Sequence, residues 1–224
     1  GLPQLDASKL SGTGVININS GGTLDLGDVL DVAGTLYMNG GTIANGTVKI
    51  DSGAGGALEF GTGTINTLDN VTLWGELALD GNSERVYITN GFTLLDESGD
   101  AVGTGGVPLG LITLGSGGFT GNNAQVRFIG DRTVDNVEVI FDSQYPAANA
   151  GELYFQYTDG ETLTLGANTL LHGGSGEIRS SGSGVGTILL QGKLSSDVDG
   201  ENLRVAINTN QQFTVGSTGQ VEAI

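Results

Sequence analysis

The chain has 224 residues, of which 41 are glycine and none is cysteine, and 25 acidic against 8 basic side chains give a formal net charge of −17. The lack of cysteine excludes disulfides, thiolate metal sites and a cysteine nucleophile. The acidic balance argues against nucleic acid and anionic membrane surfaces as partners, because both attract lysine and arginine. No apolar run is long enough to span a bilayer, so we expect no membrane insertion.

The glycine content indicates a fold with many corners, because interior glycine destabilises both helices and strands. Hydrophobic residues make up 38 % of the chain and aromatic residues only 6 %, so we expect a core of small aliphatic side chains. The first residues lack the basic and apolar regions of a signal peptide, and the last residues are still strand-like. We therefore expect residues 1–224 to form one domain that is a segment of a longer chain.

Short apolar strands separated by glycine corners begin near Gly12. Their most frequent unit is a glycine, a threonine and an aliphatic residue, which predicts a corner, an outward β-branched side chain and an inward apolar one. The unit begins at Gly22, Gly34, Gly41, Gly46, Gly63 and Gly186. Alternation over such short runs is typical of half-buried strands.

The stretch Leu68–Leu95 shows this pattern most densely, with short apolar runs between turns that contain glycine, asparagine or aspartate. Part of it returns later in degenerate form: Leu68-Asp69-Asn70-Val71 is echoed by Val134-Asp135-Asn136-Val137. Echoes with variable spacing predict stacked coils whose corners differ in length. We interpret Asn70 and Asn136 as members of internal amide ladders at the turns.

Two irregular loop insertions interrupt the strands. We expect a protruding loop at about residues 98–108, with strand structure resuming at Leu109–Leu114, and a second insertion at Asp142–Gly151 in which Pro146-Ala147-Ala148 could form one helical turn. Later strands are predicted at Leu153–Tyr157, Leu163–Leu165, Thr169–Leu171, Ile188–Leu190 and Val205–Ile207. At roughly 20 residues per coil, the chain predicts an all-β, single-stranded β-solenoid of about ten coils.

One acidic segment is a candidate calcium site. Asp197-Val198-Asp199-Gly200-Glu201-Asn202 resembles the first half of a calcium loop, in which alternate carboxylates and a glycine wrap one ion, with Asp197, Asp199 and Asn202 as the candidate ligands. The distant bidentate glutamate of such loops is missing, because Ala206 stands in its place. The favoured alternative is an exposed Asp-Gly turn between Leu194 and Leu203. Asp96–Asp100 is a weaker candidate of the same kind.

Catalytic chemistry has few candidate residues. His172 is the only histidine and could serve as a general acid or base, yet no motif places a carboxylate or serine beside it, so a surface histidine is the favoured interpretation. A lyase site of arginine and carboxylate stays open, although no motif groups Arg85, Arg127, Arg132, Arg179 or Arg204. A glycosidase pair of carboxylates cannot be selected from 25 acids without geometry.

The aromatic residues allow two interpretations. Tyr37, Trp74, Tyr87, Tyr154 and Tyr157 could form a sugar-stacking surface along one face of the solenoid. Alternatively, and in our preferred interpretation, some of them fill corners of the core and the others lie singly on the surface.

Three segments carry a resemblance to known proteins. GGTLDLGD (21–28), NGGTIANGTVKI (39–50) and ETLTLGANTLLHGGSGEI (161–178) resemble the β-helical passenger regions of large secreted bacterial adhesins of the filamentous-haemagglutinin and autotransporter type. The resemblance implies a right-handed parallel β-helix, an extracellular or cell-surface location and an adhesive or spacer role without catalytic residues. The segment LDASKLSG (5–12) is also similar to a phrase found in phage tail-fibre proteins.

Three functional hypotheses follow. The first is a non-catalytic structural or adhesive β-helix segment whose partners are a glycan, a host or bacterial surface, and neighbouring solenoid segments of the same chain. The second is a phage-fibre-like protein that recognises a glycan receptor. The third is a polysaccharide lyase or hydrolase on the same fold, which would require acids or an arginine clustered on one face of adjacent coils. Since fold does not imply function, the site has to decide between them.

Overall fold

The computed structural model describes residues 14–101, 103, 110–115, 124–142, 151–199 and 201–223. These residues form parallel β-sheets and one short 3-10 turn at Ser52–Ala54, which confirms the all-β prediction. Among the described residues, no helix has the length and apolarity needed to cross a membrane. The phage-fibre-like segment 5–12 lies outside the described residues.

The strands are short in most of the chain and longest between residues 42 and 95. The first half contains β1 Val15–Asn19, β2 Thr23–Asp25, β3 Val29–Val32, β4 Thr35–Asn39, β5 Thr42–Ile50, β6 Ala57–Phe60, β7 Ile65–Trp74, β8 Glu76–Leu79, β9 Arg85–Leu95 and β10 Gly110–Leu114. The second half contains β11 Gln125–Ile129, β12 Arg132–Val134, β13 Val137–Phe141, β14 Gly151–Tyr157, β15 Thr162–Leu165, β16 Leu170–Gly173, β17 Gly176–Gly182, β18 Gly186–Leu190, β19 Lys193–Ser196, β20 Leu203–Ala206, β21 Gln211–Val215 and β22 Gln220–Ala223.

Every pairing between these strands is parallel, and the strands assemble into four sheets. The longest sheet has the order β2-β5-β7-β9-β11-β14-β17-β20, with β3 also paired to β5. The other sheets have the orders β22-β19-β16-β13-β10-β8, β12-β15-β18-β21 and β1-β4-β6. From β11 onward the chain visits three sheets in turn before it returns to the first, an arrangement compatible with a β-solenoid.

The strands of the long sheet recur at longer intervals than the sequence pattern predicts. Within the described ranges, eight strands from β2 to β20 follow one another in this sheet, with β3 as a ninth, and the expected number of about ten coils stays a prediction. The expectation of roughly 20 residues per coil was too short, because corners and the segment between β9 and β11 take up additional residues. Equivalent positions therefore recur at unequal intervals, as in the pairs Thr42↔Thr67 and Tyr87↔Arg127.

A continuous row of apolar side chains fills the interior. Alternating inward and outward side chains along each strand produce this row. In β14, for example, the alternate residues Leu153, Phe155 and Tyr157 are buried on one side. Most core residues are Leu, Ile and Val, as predicted, and three phenylalanines add bulk in the middle of the chain: Phe128, Phe141 and Phe155. Their side chains are fully buried and belong to one cluster with the aliphatic residues.

Asparagine residues in the left-handed conformation form corners within or beside the strands. Asn45, Asn70, Asn90 and Asn136 have φ between 54° and 58°, which asparagine tolerates better than other non-glycine residues. The amide of Asn70 donates to the Oδ1 atom of Asn45 at 3.2 Å, and Asn45 donates to Asp25 at 3.3 Å. This ladder is exposed, so the prediction of an internal one was wrong.

The neighbours of Asn70 in the sequence explain why its side chain is exposed. On β7 the inward positions around the corner belong to Leu68 and Val71, which leaves the side chain of Asn70 in solvent. Asn66, in contrast, is fully buried: its Oδ1 accepts from the backbone N–H of Gly40 at 2.8 Å, and its amide donates to the carbonyl of Arg85 at 3.2 Å. Its side chain therefore satisfies two backbone groups from other parts of the chain.

The two predicted loop insertions lie largely outside the described residues. Most of the loop at about 98–108 and residues 143–150, including the expected turn at Pro146-Ala147-Ala148, lie outside the described residues. Strand β10 does resume at Gly110–Leu114, close to the prediction.

Candidate functional site: a tyrosine–arginine face

The outer side of the long sheet carries two parallel ladders of side chains across β9, β11, β14, β17 and β20. Each ladder consists of residues that are in register on neighbouring strands. The first ladder is formed by Arg85, Gln125, Glu152, Glu177 and Arg204. The second is formed by Tyr87, Arg127, Tyr154, Arg179 and Ala206. These side chains point outward because the residues between them, such as Val126 and Leu153, occupy the core. We call this surface the Tyr–Arg face.

Arg127 lies between two tyrosine rings. Its guanidinium carbon is 4.8 Å from the ring centroid of Tyr87 and 4.0 Å from that of Tyr154. Arg179 approaches the other side of Tyr154 at 5.8 Å. Parallel strands repeat at about 4.8 Å, so equivalent side chains on neighbouring strands stack, and arginine over a tyrosine face is attracted by the ring quadrupole. The result is an alternating stack of two tyrosines and two arginines.

Two carboxylates are buried beneath this stack. The side chain of Glu152 is 0 % exposed and that of Glu177 is 4 % exposed. Arg179 bridges them, with Nη1 at 2.9 Å from Glu152 and Nε at 3.2 Å from Glu177, and Arg204 lies 2.5 Å from the second oxygen of Glu177. Buried charges need such partners. The hydrogen bond to Glu152 also raises the pKa of Arg179 above its ordinary value, so this side chain stays cationic.

Arg85 and Arg127 differ from these paired arginines. Among the described residues, neither forms an ion pair with an acidic side chain. Arg127 donates to the amide oxygens of Gln156 at 3.1 Å and Gln125 at 3.0 Å. Within the described part of the chain, the Nε atoms of Arg85, Arg127 and Arg132 are buried without a hydrogen-bond partner. The Tyr–Arg face thus holds four of the chain's eight basic residues against two buried glutamates.

The other aromatic residues lie elsewhere. Tyr157 is buried in the core with its ring centroid 5.3 Å from that of Phe155. Trp74 lies under the ammonium group of Lys49, 5.4 Å from the ring, and Tyr37 belongs to β4 in the three-stranded sheet. Of the five predicted aromatic residues, Tyr87 and Tyr154 belong to the Tyr–Arg face. Trp74 lies on the outer side of the same sheet but at the end of β7, beyond the corner at Asn70.

His172 is not an isolated surface residue. Its Nε2 atom lies 2.8 Å from Glu138 and its Nδ1 atom lies 2.8 Å from Asp197, and its side chain is 20 % exposed. The three residues come from β13, β16 and the corner after β19, so only the register of neighbouring coils brings them together. Both ring nitrogens contact carboxylates, so neither is available to a substrate unless one of these contacts breaks.

Two of the three candidate calcium ligands make contacts within the chain. Asp197 pairs with His172, and the carbonyl of Asn202 accepts from the backbone N–H of Gly176 at 3.4 Å. Asp199 is exposed, and Gly200 lies outside the described residues. No group of three or more histidine or acidic side chains in the described part of the chain is arranged to hold a metal ion. Calcium at Asp197, Asp199 and Asn202 therefore stays a prediction.

The weaker acidic candidate is a turn. The Oδ1 atom of Asp96 accepts the backbone N–H groups of Ser98 at 2.9 Å and Asp100 at 2.8 Å. Hydrogen bonds between an aspartate side chain and nearby backbone N–H groups are typical of tight turns.

Comparison of the chain with models of protein families, with curated proteins and with solved structures finds no match. The function therefore has to be argued from the geometry of the Tyr–Arg face.

A sequence signal for this face does exist. Each of the five strands contains a polar residue, an aliphatic residue and then, in four of the five, a tyrosine or arginine: RVY (85–87), QVR (125–127), ELY (152–154), EIR (177–179) and RVA (204–206). Sequence reasoning missed it because the intervals between these triplets are unequal. Grouping the arginines required the register of the sheet.

Proposed function

We propose that the chain is a non-catalytic, adhesive segment of an extracellular, right-handed parallel β-helix, and that it binds a glycan on the Tyr–Arg face. The observation that carries this proposal is the stack of Tyr87, Arg127, Tyr154 and Arg179 on the outside of the long sheet. Tyrosine supplies rigid amphipathic contact area with little loss of conformational entropy, and the planar groups of arginine and glutamine can donate to sugar hydroxyls.

A polymer suits this surface better than a compact ligand. The two ladders repeat from strand to strand across five strands, which at about 4.8 Å per step gives a platform of about 19 Å. Small-molecule sites are usually concave and enclose most of the ligand, whereas these side chains stand in a row on the outside of a sheet. A glycan chain lying along the row could contact several rungs at once.

The arrangement of the carboxylates favours binding over hydrolysis or elimination. A glycosidase needs one carboxylic acid and one carboxylate free to act on the glycosidic bond, whereas Glu152 and Glu177 are engaged by Arg179 and Arg204. Arg179 is a poor candidate for a lyase base, because its raised pKa keeps it protonated.

Neighbouring solenoid segments are the second proposed partner. Val15 on β1 and Val221 on β22 are exposed large apolar residues. Among the described strands, β1 and β22 each lie at the edge of a sheet, and an edge strand can pair with a further strand. We propose that coils of the same kind pack on these edges, as in other solenoids whose core runs through many repeats.

The proposal is tested by incubating the protein with immobilised bacterial, algal and plant polysaccharides while retention and new chain ends are scored together. We expect retention without cleavage. Tyr154→Ala should weaken retention about tenfold, because loss of one aromatic contact costs on the order of 1 kcal/mol. Tyr37→Ala, on the three-stranded sheet, is the matched control and should bind like the wild type.

New chain ends would show an enzyme and overturn the non-catalytic proposal. An absence of retention on every polysaccharide would overturn glycan binding and leave a structural spacer.

A further inference from the structure

We propose that Arg85 and Arg127 form a subsite for an acidic group, so that the ligand of the Tyr–Arg face is an acidic polysaccharide carrying carboxylates or sulfates. This inference rests on the proposed glycan binding and adds the chemical class of the glycan. It starts from a contrast within one surface. Arg179 and Arg204 have glutamate partners, whereas no described acidic side chain pairs with Arg85 or Arg127.

The two unpaired guanidinium groups flank one side chain. Arg85 is in register with Gln125, and the Oε1 atom of Gln125 accepts from Nη2 of Arg127 at 3.0 Å. The chain carries 25 acidic residues, yet none of the described ones occupies this position. An amide neutralises no charge, so both cations retain their attraction for an anion.

Arg127 is also held in place before any ligand arrives. Two tyrosine rings contact its faces and two amide oxygens accept from its Nη atoms. A guanidinium that is already ordered loses less entropy on binding, and its planar donors match a carboxylate or sulfate in bidentate geometry.

The spacing of the cations favours a polymer of low charge density. Arg85 and Arg127 lie on the adjacent strands β9 and β11, two residues out of register, which places their Cα atoms about 8 Å apart at roughly 4.8 Å per strand and about 3.3 Å per residue. Nucleic acid presents a phosphate about every 3.4 Å along each strand and would bring many unmatched charges toward a protein of net charge −17. A polysaccharide that carries an acidic group on some of its sugars presents fewer negative charges per unit length.

The overall acidity of the chain does not prevent local anion binding. At 0.15 M ionic strength the Debye length is about 8 Å, so acids on other faces of the solenoid are screened. Within the Tyr–Arg face the two glutamates are buried and engaged by arginine. The net charge in the immediate surroundings of Arg85 and Arg127 is therefore positive.

The experiment measures binding to two matched pairs of polymers by calorimetry at 0.15 M NaCl. Polygalacturonate is compared with its methyl ester, and dextran sulfate with dextran, so that each pair differs only in charge. We expect the wild type to bind at least one acidic member about tenfold or more tightly than its neutral counterpart, since charge-assisted hydrogen bonds contribute more than neutral ones.

Variants then locate the effect. Arg127→Gln and Arg85→Gln should each lower affinity for the acidic polymer about tenfold. Arg132→Gln makes the same change of charge on β12 in a different sheet and should alter affinity less than twofold. Thermal melting of each variant verifies that it is folded.

The outcomes separate the two proposals. Equal binding of acidic and neutral polymers would overturn the acidic subsite and leave glycan binding intact. Failure to bind any of the four polymers or any member of the polysaccharide panel would overturn both. Equal loss in Arg132→Gln would show a non-specific charge effect and overturn the subsite. A single-stranded oligonucleotide is tested as well. If it binds as tightly as the best polysaccharide and this binding depends on Arg127, the surface binds polyanions in general and the acidic-polysaccharide proposal is overturned.

Discussion

At the residue scale, the buried carboxylates Glu152 and Glu84 differ in how well the fold compensates their negative charge. Glu152 receives hydrogen bonds from Arg179 at 2.9 Å and Gln125 at 2.5 Å. Glu84 is also buried, but no basic side chain among the described residues pairs with it, and its carboxylate accepts the backbone N–H of Gly81 at 2.9 Å. Burial raises the pKa of Glu84 from 4.5 to about 7. Its charge is therefore unfavourable in the folded state.

This difference predicts a pH dependence of stability. Between pH 4.5 and about 7 the folded protein binds a proton at Glu84 that the unfolded chain has released, so the free energy of unfolding falls as pH rises through this window. Glu84→Gln should remove that loss and be more stable than the wild type at pH 8 by about 1–3 kcal/mol, while the difference becomes small near pH 4.5. Urea denaturation at both pH values measures it.

Glu97→Gln, at an exposed position, is the control for loss of one negative charge. If Glu84→Gln and Glu97→Gln follow the same pH profile, the burial of Glu84 is not the cause and the prediction fails.

At the scale of the elements, the corners determine how each strand continues into the next face. Strand β5 pairs with β2 before Asn45 and with β3 after it, so one left-handed residue lets a single strand serve two segments of the sheet. Strand β7 repeats the arrangement at Asn70, where its pairing with β9 shifts register between Asp69 and Val71.

The conformation of Asn70, rather than its side-chain hydrogen bond, should dominate its contribution. Asn70→Ala places an ordinary residue at φ 55° and should lower the free energy of unfolding by about 1–2 kcal/mol, the cost of the left-handed region. Asn70→Gly loses the same amide bond to Asn45 but adopts this φ without strain, so we expect a smaller loss. Guanidinium denaturation of both variants measures the difference.

Asn17→Ala on β1, which has no positive φ, serves as a control for removing an exposed asparagine. An equal loss in Asn70→Ala and Asn70→Gly would mean that the amide ladder, and not the backbone, provides the stability.

For the whole molecule, the net charge of −17 opposes compaction through self-repulsion. The Debye length falls from about 30 Å at 0.01 M salt to about 8 Å at 0.15 M. We therefore expect the melting temperature to rise by about 2–4 °C over this range if screening contributes on the order of 1 kcal/mol. A fall would show instead that screened ion pairs such as Lys193–Glu222 outweigh the repulsion.

The same measurement tests calcium. Calcium chloride at matched ionic strength should raise the melting temperature beyond the sodium chloride value only if the ion binds the folded state preferentially. An additional rise that disappears in Asp199→Asn would support the predicted site at Asp197, Asp199 and Asn202. Equal curves in the two salts would reject it.

The amino-acid sequence by itself determined the class of fold, because alternation and glycine corners act locally. Predicted segments such as Leu153–Tyr157, Leu163–Leu165 and Ile188–Leu190 lie within β14, β15 and β18, since an inward apolar residue at every second position needs no information from distant residues. The exclusion of cysteine chemistry likewise followed from composition alone.

Only the tertiary structure decided which outward side chains meet. Arg127 stacks on Tyr154, and His172 contacts Glu138 and Asp197, because parallel register aligns residues from strands that are far apart in the sequence. That register depends on how many residues each corner and loop takes up, and those lengths vary along the chain. A change of one residue in strand register would turn an outward side chain inward, so the Tyr–Arg face is a property of the assembled sheet and not of any single strand.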